Sequence, residues 1–434
     1  MSEKYYYRCN DCGAEYPSGD VIYLCPACRS KNKPGMPPKG VLKTLFDYDA
    51  IRNFVSAEIL FGYLRNRGYL DLLPLQSLES LPPLRIGNTP LYRFEAFTGG
   101  QAVKRIKGRV PELLSDMDFD LYLKDDSQNP TFSFKDRASA LVSAWAKEHH
   151  IGTIIAASTG NAGCSLAGIC ASQGQHSMIF VPANAPPAKL TQIVMYGAII
   201  IPVRGTYDDA FDLSVKATEL SGLYNRNTAY NPLTIEGKKS VSFELFDQLH
   251  QEIPDRIFVP VGDGVVLSGV YKGFEDLLKL GIISRMPVVV AVQSDGSPNV
   301  INNIGTEKFT STPSRTIADS ISVDVPRNFY MTVGYLKEYA GEWITVSDPE
   351  IVQASALLAR STGIFSEPAA VAAFAGMLKY HATQKIPAGT KNVVLLTGSG
   401  LKDLSSVRSV MKLPEPVDPD PKALEKVLKR YLDT

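Results

Sequence analysis

The chain has 434 residues, enough for two or three domains and a large buried core. Lys plus Arg and Asp plus Glu number 45 each, so the net charge is zero, which argues against nucleic acid or an anionic membrane as the main partner. With 44% hydrophobic and 21% charged residues, apolar runs (Pro287–Val292, Ile193–Val203) too short to span a bilayer, and no apolar core in Met1–Arg8, a soluble cytoplasmic protein is expected.

Four of the six cysteines form two CxxC turns, Cys9-x2-Cys12 and Cys25-x2-Cys28, with twelve residues between them. Four thiolates suit tetrahedral ligation of structural Zn²⁺ and leave no open position for catalysis. The alternatives are two redox dithiols, knuckles that hold no metal, or iron in a rubredoxin-like site. Cys164 and Cys170 sit in an apolar helical stretch and read as buried hydrophobes.

Lys31–Lys39 reads as a linker and Tyr48–Leu73 as helical. Gly87-Asn88-Thr89-Pro90-Leu91 is a turn into a strand, and Leu121–Lys124 is a strand that feeds Asn129-Pro130-Thr131-Phe132-Ser133-Phe134-Lys135-Asp136-Arg137. That stretch opens a helix, with Phe134, Ala138, Leu141, Val142 and Trp145 on one apolar face. Ser133 is the expected N-cap and Asp136 its capping-box partner. Lys135 then lies in the first turn, where the dipole disfavours a cation and lowers the amine pKa. Alternation follows: strands 153–157, 178–181, 198–203, 257–261, 287–293, 343–346 and 392–396, with helices between them such as 162–173, 188–196, 207–220, 268–280, 348–361 and 368–381. Continuous apolar strands between helices imply parallel sheets covered on both faces, with ligands beyond the C-terminal strand ends. One charged helix, 421–432, ends the chain.

Four stations fall at those strand ends. Ser158-Thr159-Gly160-Asn161 opens a helix and can cradle an anion. Gly262-Asp263-Gly264-Val265-Val266 suits a phosphate held by backbone amides, with Asp263 turned outward or capping. Glu367-Pro368-Ala369 starts an Ala-rich helix, and Thr397 stands before Gly398-Ser399-Gly400. A lysine, an asparagine, a phosphate-type loop and a hydroxyl on one sheet edge form the set that pyridoxal phosphate requires.

These motifs, with Glu236-Gly237-Lys238-Lys239-Ser240 and Thr397-Gly398-Ser399-Gly400-Leu401-Lys402-Asp403, resemble the fold type II (tryptophan-synthase-β-like) pyridoxal-phosphate enzymes, and among them most closely the threonine synthases. The resemblance spans about Leu84–Asp403. It implies an α/β fold of two doubly wound parallel-sheet domains behind a zinc-ribbon-like knuckle: 1–34 the knuckle, 35–138 with 233–434 the large domain, and 139–232 the small one. It implies that Lys135 forms the Schiff base, Phe134 packs near the cofactor, Asn161 meets the ring hydroxyl, Gly262, Asp263, Gly264, Val265 and Val266 hold the phosphate, and Thr397 faces the pyridine nitrogen. Ser158, Thr159, Lys239 and Ser240 would hold an amino-acid substrate, and the assembly would be a homodimer.

Three departures stand out. Phe132 replaces a usual Gly, Ser399 a usual His, and Ala229 and Thr234 a usual Ser and Arg that hold the substrate phosphate. Lys189, Arg204 and Arg226 are the remaining cations to take that role. The expected reaction is conversion of O-phosphohomoserine and water to threonine and phosphate. The alternatives are a serine/threonine dehydratase-like lyase, a β-replacement enzyme acting on O-phosphoserine, or a non-enzymatic zinc-ribbon interaction protein.

Overall fold

A computed structural model describes residues 4–19, 23–94, 117–408 and 415–432. At the N-terminus β1 (Tyr5–Cys9), β2 (Glu15–Pro17) and β3 (Leu42–Phe46) form an antiparallel sheet in the order β2-β1-β3. Two strands follow, β4 (Leu91–Phe94) and β5 (Asp120–Asp125). Then come β6 (Thr153–Ala157), β7 (His176–Pro182), β8 (Ile199–Val203) and β9 (Tyr224–Asn225). The last group is β10 (Arg256–Pro260), β11 (Val288–Ser294), β12 (Glu342–Val346) and β13 (Lys391–Leu396).

The small sheet, β8-β7-β6-β9, is wholly parallel. The large sheet runs β12-β11-β10-β13-β5-β4. Its first five strands are parallel, but β4 lies antiparallel on β5, so this sheet is mixed at one edge. Ile257, Phe258 and Val259 are all fully buried, as expected for a strand with helices on both faces.

Two expectations change. The knuckle sheet draws its third strand, β3, from residues 42–46, so this unit reaches past the boundary expected at residue 34. The predicted helix over Tyr48–Leu73 is instead Tyr48–Arg52, Ala57–Asn66 and a short 3₁₀ turn. Asp47 caps the first piece, and extended Ser56 breaks the chain before the second. The buried helices Leu233–Lys238 and Ser240–Gln248 are absent from the predicted elements; they are short, six and nine residues.

The knuckle is docked, not appended. The Tyr5 hydroxyl accepts from Trp145 Nε1 (3.1 Å) on the helix that carries Lys135. The Tyr23 hydroxyl accepts from the Asn225 N–H at 2.8 Å, and the Tyr23 ring stacks on Tyr230 at 4.4 Å.

Candidate active site

The loop before Lys135 is stitched to the turn after β13. Ser133 and Gly398 form an antiparallel bridge, Phe134 N–H donates to the Thr397 carbonyl (2.9 Å), and Ser399 N–H donates to that of Phe132 (3.1 Å). Lys402 Nζ fastens the same loop through the Thr131 carbonyl (3.1 Å) and reaches Gln192 on the helix between β7 and β8 (2.7 Å). The result is a cavity of about 300 Å³ at the C-terminal strand ends, lined by Lys135, Ser158, Thr159, Asn161 and Thr397. Gly262, Asp263, Gly264, Val265 and Val266 line it from the other side.

Burial is the main cause that lowers the Lys135 amine below the ordinary lysine value. Glu367 opposes that shift, and Arg226 adds to it. Glu367 also accepts from Asn161 Nδ2 through both carboxylate oxygens (2.9 and 3.0 Å) and so fixes the asparagine. Burial raises the Glu367 carboxyl, and the Asn161 bond counters this. A Cβ on Gly398 would lie 2.7 Å from that carboxyl group, so the final turn needs glycine for Glu367 to reach beneath it.

Gly264, at φ +88°, opens the helix Val265–Lys279, and no side chain caps that end. Its N–H groups are therefore available to an anion. Asp263 lines the cavity and accepts from the Arg327 N–H at 2.9 Å, so one carboxylate oxygen is engaged while its charge still acts on Lys135 and Lys238. An amine, an uncapped helix start, a positioned amide and a hydroxyl around one cavity fit pyridoxal phosphate.

Several expected contributors lie elsewhere. The Phe134 ring is fully buried in the large core, with the Arg137 guanidinium 5.5 Å from its centroid; its backbone, not its ring, serves the site. Lys239 points away from the cavity, into an ion pair with Asp276 (2.7 Å). Ser240 Oγ accepts from Arg137 Nη1 (2.9 Å) and donates to the Gly237 carbonyl (2.9 Å). Lys238, one residue earlier and about 100° round the helix, lines the cavity instead. The capping box also fails: Asp136 accepts from the Thr131 N–H (2.7 Å), while Ser133 Oγ accepts only a 3.4 Å bond from Lys135 N–H. Of the spare cations, exposed Lys189 pairs with Asp319 (2.9 Å), and Arg204 is exposed beyond β8. Arg226 is buried beside the site.

Phe132 has φ +67° and is 49% exposed, so a bulky residue occupies a left-handed position with little burial in return. Phe132→Gly is expected to raise the stability by about 1 kcal/mol. Denaturant titration checks it; an unchanged or lower midpoint would refute the strain.

In the N-terminal unit the sulfurs of Cys9, Cys12, Cys25 and Cys28 all lie within 4.8 Å of one another. Cys9–Cys28 and Cys12–Cys25 are each 3.8 Å apart. A tetrahedral metal with about 2.3 Å bonds to sulfur needs sulfurs about 3.8 Å apart. The cluster therefore has the dimensions of a four-thiolate metal site.

A family model described as pyridoxal-phosphate dependent enzyme matches residues 84–398. The threonine synthase of Methanocaldococcus jannaschii is 32% identical over 97% of this chain and 99% of its own length. That of Halalkalibacterium halodurans is 33% identical over 84% of this chain and 95% of its own. Among solved structures, the processed form of threonine deaminase isoform 2 from Solanum lycopersicum superposes with a TM-score of 0.60 at 20% identity, covering 76% of this chain and 98% of that one. Maize serine racemase gives 0.58 at 18%, covering 80% and 94%. At those identities the structures establish the fold, and the curated relatives carry the family. With the lysine, the uncapped helix and the hydroxyl on one cavity, the chain belongs to the pyridoxal-phosphate dependent enzymes and, within them, to the threonine synthase family.

Proposed function

We propose that this protein converts O-phosphohomoserine and water to threonine and inorganic phosphate. The observation that carries this reading is the convergence of Lys135, Ser158–Asn161, Gly262–Val266 and Thr397 on one cavity in a chain of this family. Pyridoxal phosphate, when bound, supplies an electron sink for carbanions beside the substrate amino group. Lys135 Nζ, its pKa lowered by burial, moves protons at the substrate Cα and Cβ. Ser158 and Thr159 stand before the helix Asn161–Gln173, whose start suits a carboxylate. Glu367 fixes the Asn161 side chain, which would meet the cofactor ring hydroxyl. Thr397 offers the ring nitrogen a neutral hydroxyl, which favours elimination and replacement at the side chain. Loss of phosphate from Cγ, removal of one Cβ proton, delivery of a proton to Cγ and addition of water at Cβ balance the reaction.

Purified protein given pyridoxal phosphate and O-phosphohomoserine should release phosphate and threonine in equal amounts. Absence of phosphate release would overturn the reading. The lyase alternative is motivated by Ala229 and Thr234, and neither lines the cavity. Assaying 2-oxo acid from serine and threonine in parallel separates the two.

The knuckle is read as a structural Zn²⁺ site held by Cys9, Cys12, Cys25 and Cys28, which the sulfur spacing supports. One zinc per chain by elemental analysis, lost in Cys28→Ser, is the expected result; iron or no metal would refute it. A cytoplasmic homodimer completes the proposal. It rests on the family resemblance and on the fact that, among the described residues, no helix is long and apolar enough to cross a membrane. Light scattering should return twice 47.4 kDa; the monomer mass would remove the dimer.

A further inference from the structure

Two buried cations at the cavity have no contacting carboxylate among the described residues, although Asp263 attracts Lys238 and Asp136 attracts Arg226 at longer range. Arg226 follows β9 and is 1% exposed. Its Nε donates to Ser139 Oγ (3.2 Å), its Nη1 donates to Thr228 Oγ1 (3.2 Å), and its Nη2 has no partner. Thr228 lines the cavity. Lys238 also lines the cavity, is 1% exposed, and its Nζ has no partner. Neither residue forms an ion pair among the described residues, whereas Lys124, Arg137, Lys239 and Lys272, equally buried, each have a carboxylate. An uncompensated buried charge is strongly destabilising, so Lys238 on the cavity wall and Arg226 directly behind the lining residue Thr228 call for an anion.

Their positions bracket the altered segment. Ala229, with φ +61°, and Thr234, whose hydroxyl is spent on the Asn231 carbonyl (2.7 Å), offer nothing to a phosphate. Lys238 stands four residues after Thr234 on the helix Leu233–Lys238, one turn further along the same face. Gly269 makes room for it, since a Cβ there would come within 2.6 Å of Lys238 Cβ. Arg226 approaches from the small domain three residues before Ala229.

We propose that Arg226 and Lys238 form a displaced seat for the phosphate of a phosphorylated amino-acid substrate, in place of a cation at position 234. This rests on the threonine synthase reading. The cofactor phosphate is the other dianion at hand, but the uncapped start of the helix Val265–Lys279 already suits it.

The test uses the holoenzyme of the wild type, Arg226→Gln, Lys238→Gln and the pair. Inorganic phosphate is titrated against the cofactor absorption band, cofactor retention is measured by dialysis, and kcat/KM is measured on O-phosphohomoserine. Each single variant should weaken inorganic phosphate by roughly 10- to 100-fold and lower kcat/KM by a similar factor, with the cofactor retained. Arg226→Lys and Lys238→Arg should recover part of the phosphate affinity. Unchanged phosphate affinity overturns the proposal, as does loss of the cofactor in its place, which would assign these cations to the cofactor phosphate. If the wild type binds phosphate through these residues yet releases none from O-phosphohomoserine, the reaction reading fails and the anion seat stands.

Discussion

Lys135→Ala is expected to lower kcat/KM on O-phosphohomoserine by at least about 10⁴-fold. The same change should abolish the visible absorption of lysine-linked cofactor. The half-buried amine sits on the cavity wall, and Lys238, the other lysine on that wall, is held by its buried stem on the opposite helix. The proposed phosphate seat at Gly262–Val266 is untouched, so the variant should still retain cofactor without the covalent link. Substantial residual turnover would show that another group moves the protons. The pH profile offers a second check. Because burial lowers the Lys135 amine, the rising basic limb should fall below the ordinary lysine value of 10.5. A limb at or above that value would refute the burial argument.

Arg137→Met should destabilise the protein by about 3–5 kcal/mol. Arg137 lies two residues after Lys135 and is fully desolvated. Its guanidinium donates to both oxygens of Asp126 (2.6 and 3.0 Å) and both of Glu244 (2.6 and 2.8 Å). Asp126 in turn accepts from Thr89 Oγ1 (2.7 Å), and Lys124 Nζ donates to Glu244 (2.8 Å). The network thus joins the turn before β4, the end of β5, the lysine helix and the helix Ser240–Gln248. Methionine fills the volume but strands two buried carboxylates. Denaturant titration should show the midpoint fall, with Arg137→Lys intermediate, because lysine keeps the charge but loses the paired geometry.

Acid stability follows from the same network. Burial alone would raise the Glu244 carboxyl, but Arg137 and Lys124 outweigh it and bring it to about 2, against an ordinary 4.5. The folded value lies below the unfolded one, so the contribution is complete above 4.5 and is lost as pH falls toward 2. It amounts to roughly 3 kcal/mol. Arg137→Met should flatten this acid limb; an unchanged limb would mean that the pair does not set it.

The alternation of strands and helices was legible because parallel strands are apolar on both faces and the glycine-rich stations punctuate them. The cavity followed from where those stations fall relative to strand ends. Side-chain direction was not legible. Lys238 and Lys239 are adjacent and chemically alike, and only the rotation of a short buried helix decides which one meets the cavity. Phe134 and Lys135 differ in the same way. Asp136 was read as a helix cap because its spacing from Ser133 fits; the tighter turn at Thr131 takes its carboxylate instead. Glu367 was singled out as part of a motif, but its bond to Asn161 links residues 206 apart, beyond any local pattern.

The docked knuckle bears on how the protein can be shortened. Among the described residues β3 pairs only with β1, so removing residues before position 40 would leave Leu42, Leu45 and Phe46 on an unpartnered strand. Such an edge is a template for association with other chains. The same cut would remove the Tyr23 hydroxyl from the Asn225 N–H, next to Arg226. A trimmed version should therefore aggregate and lose its hold on the phosphate side of the cavity at once.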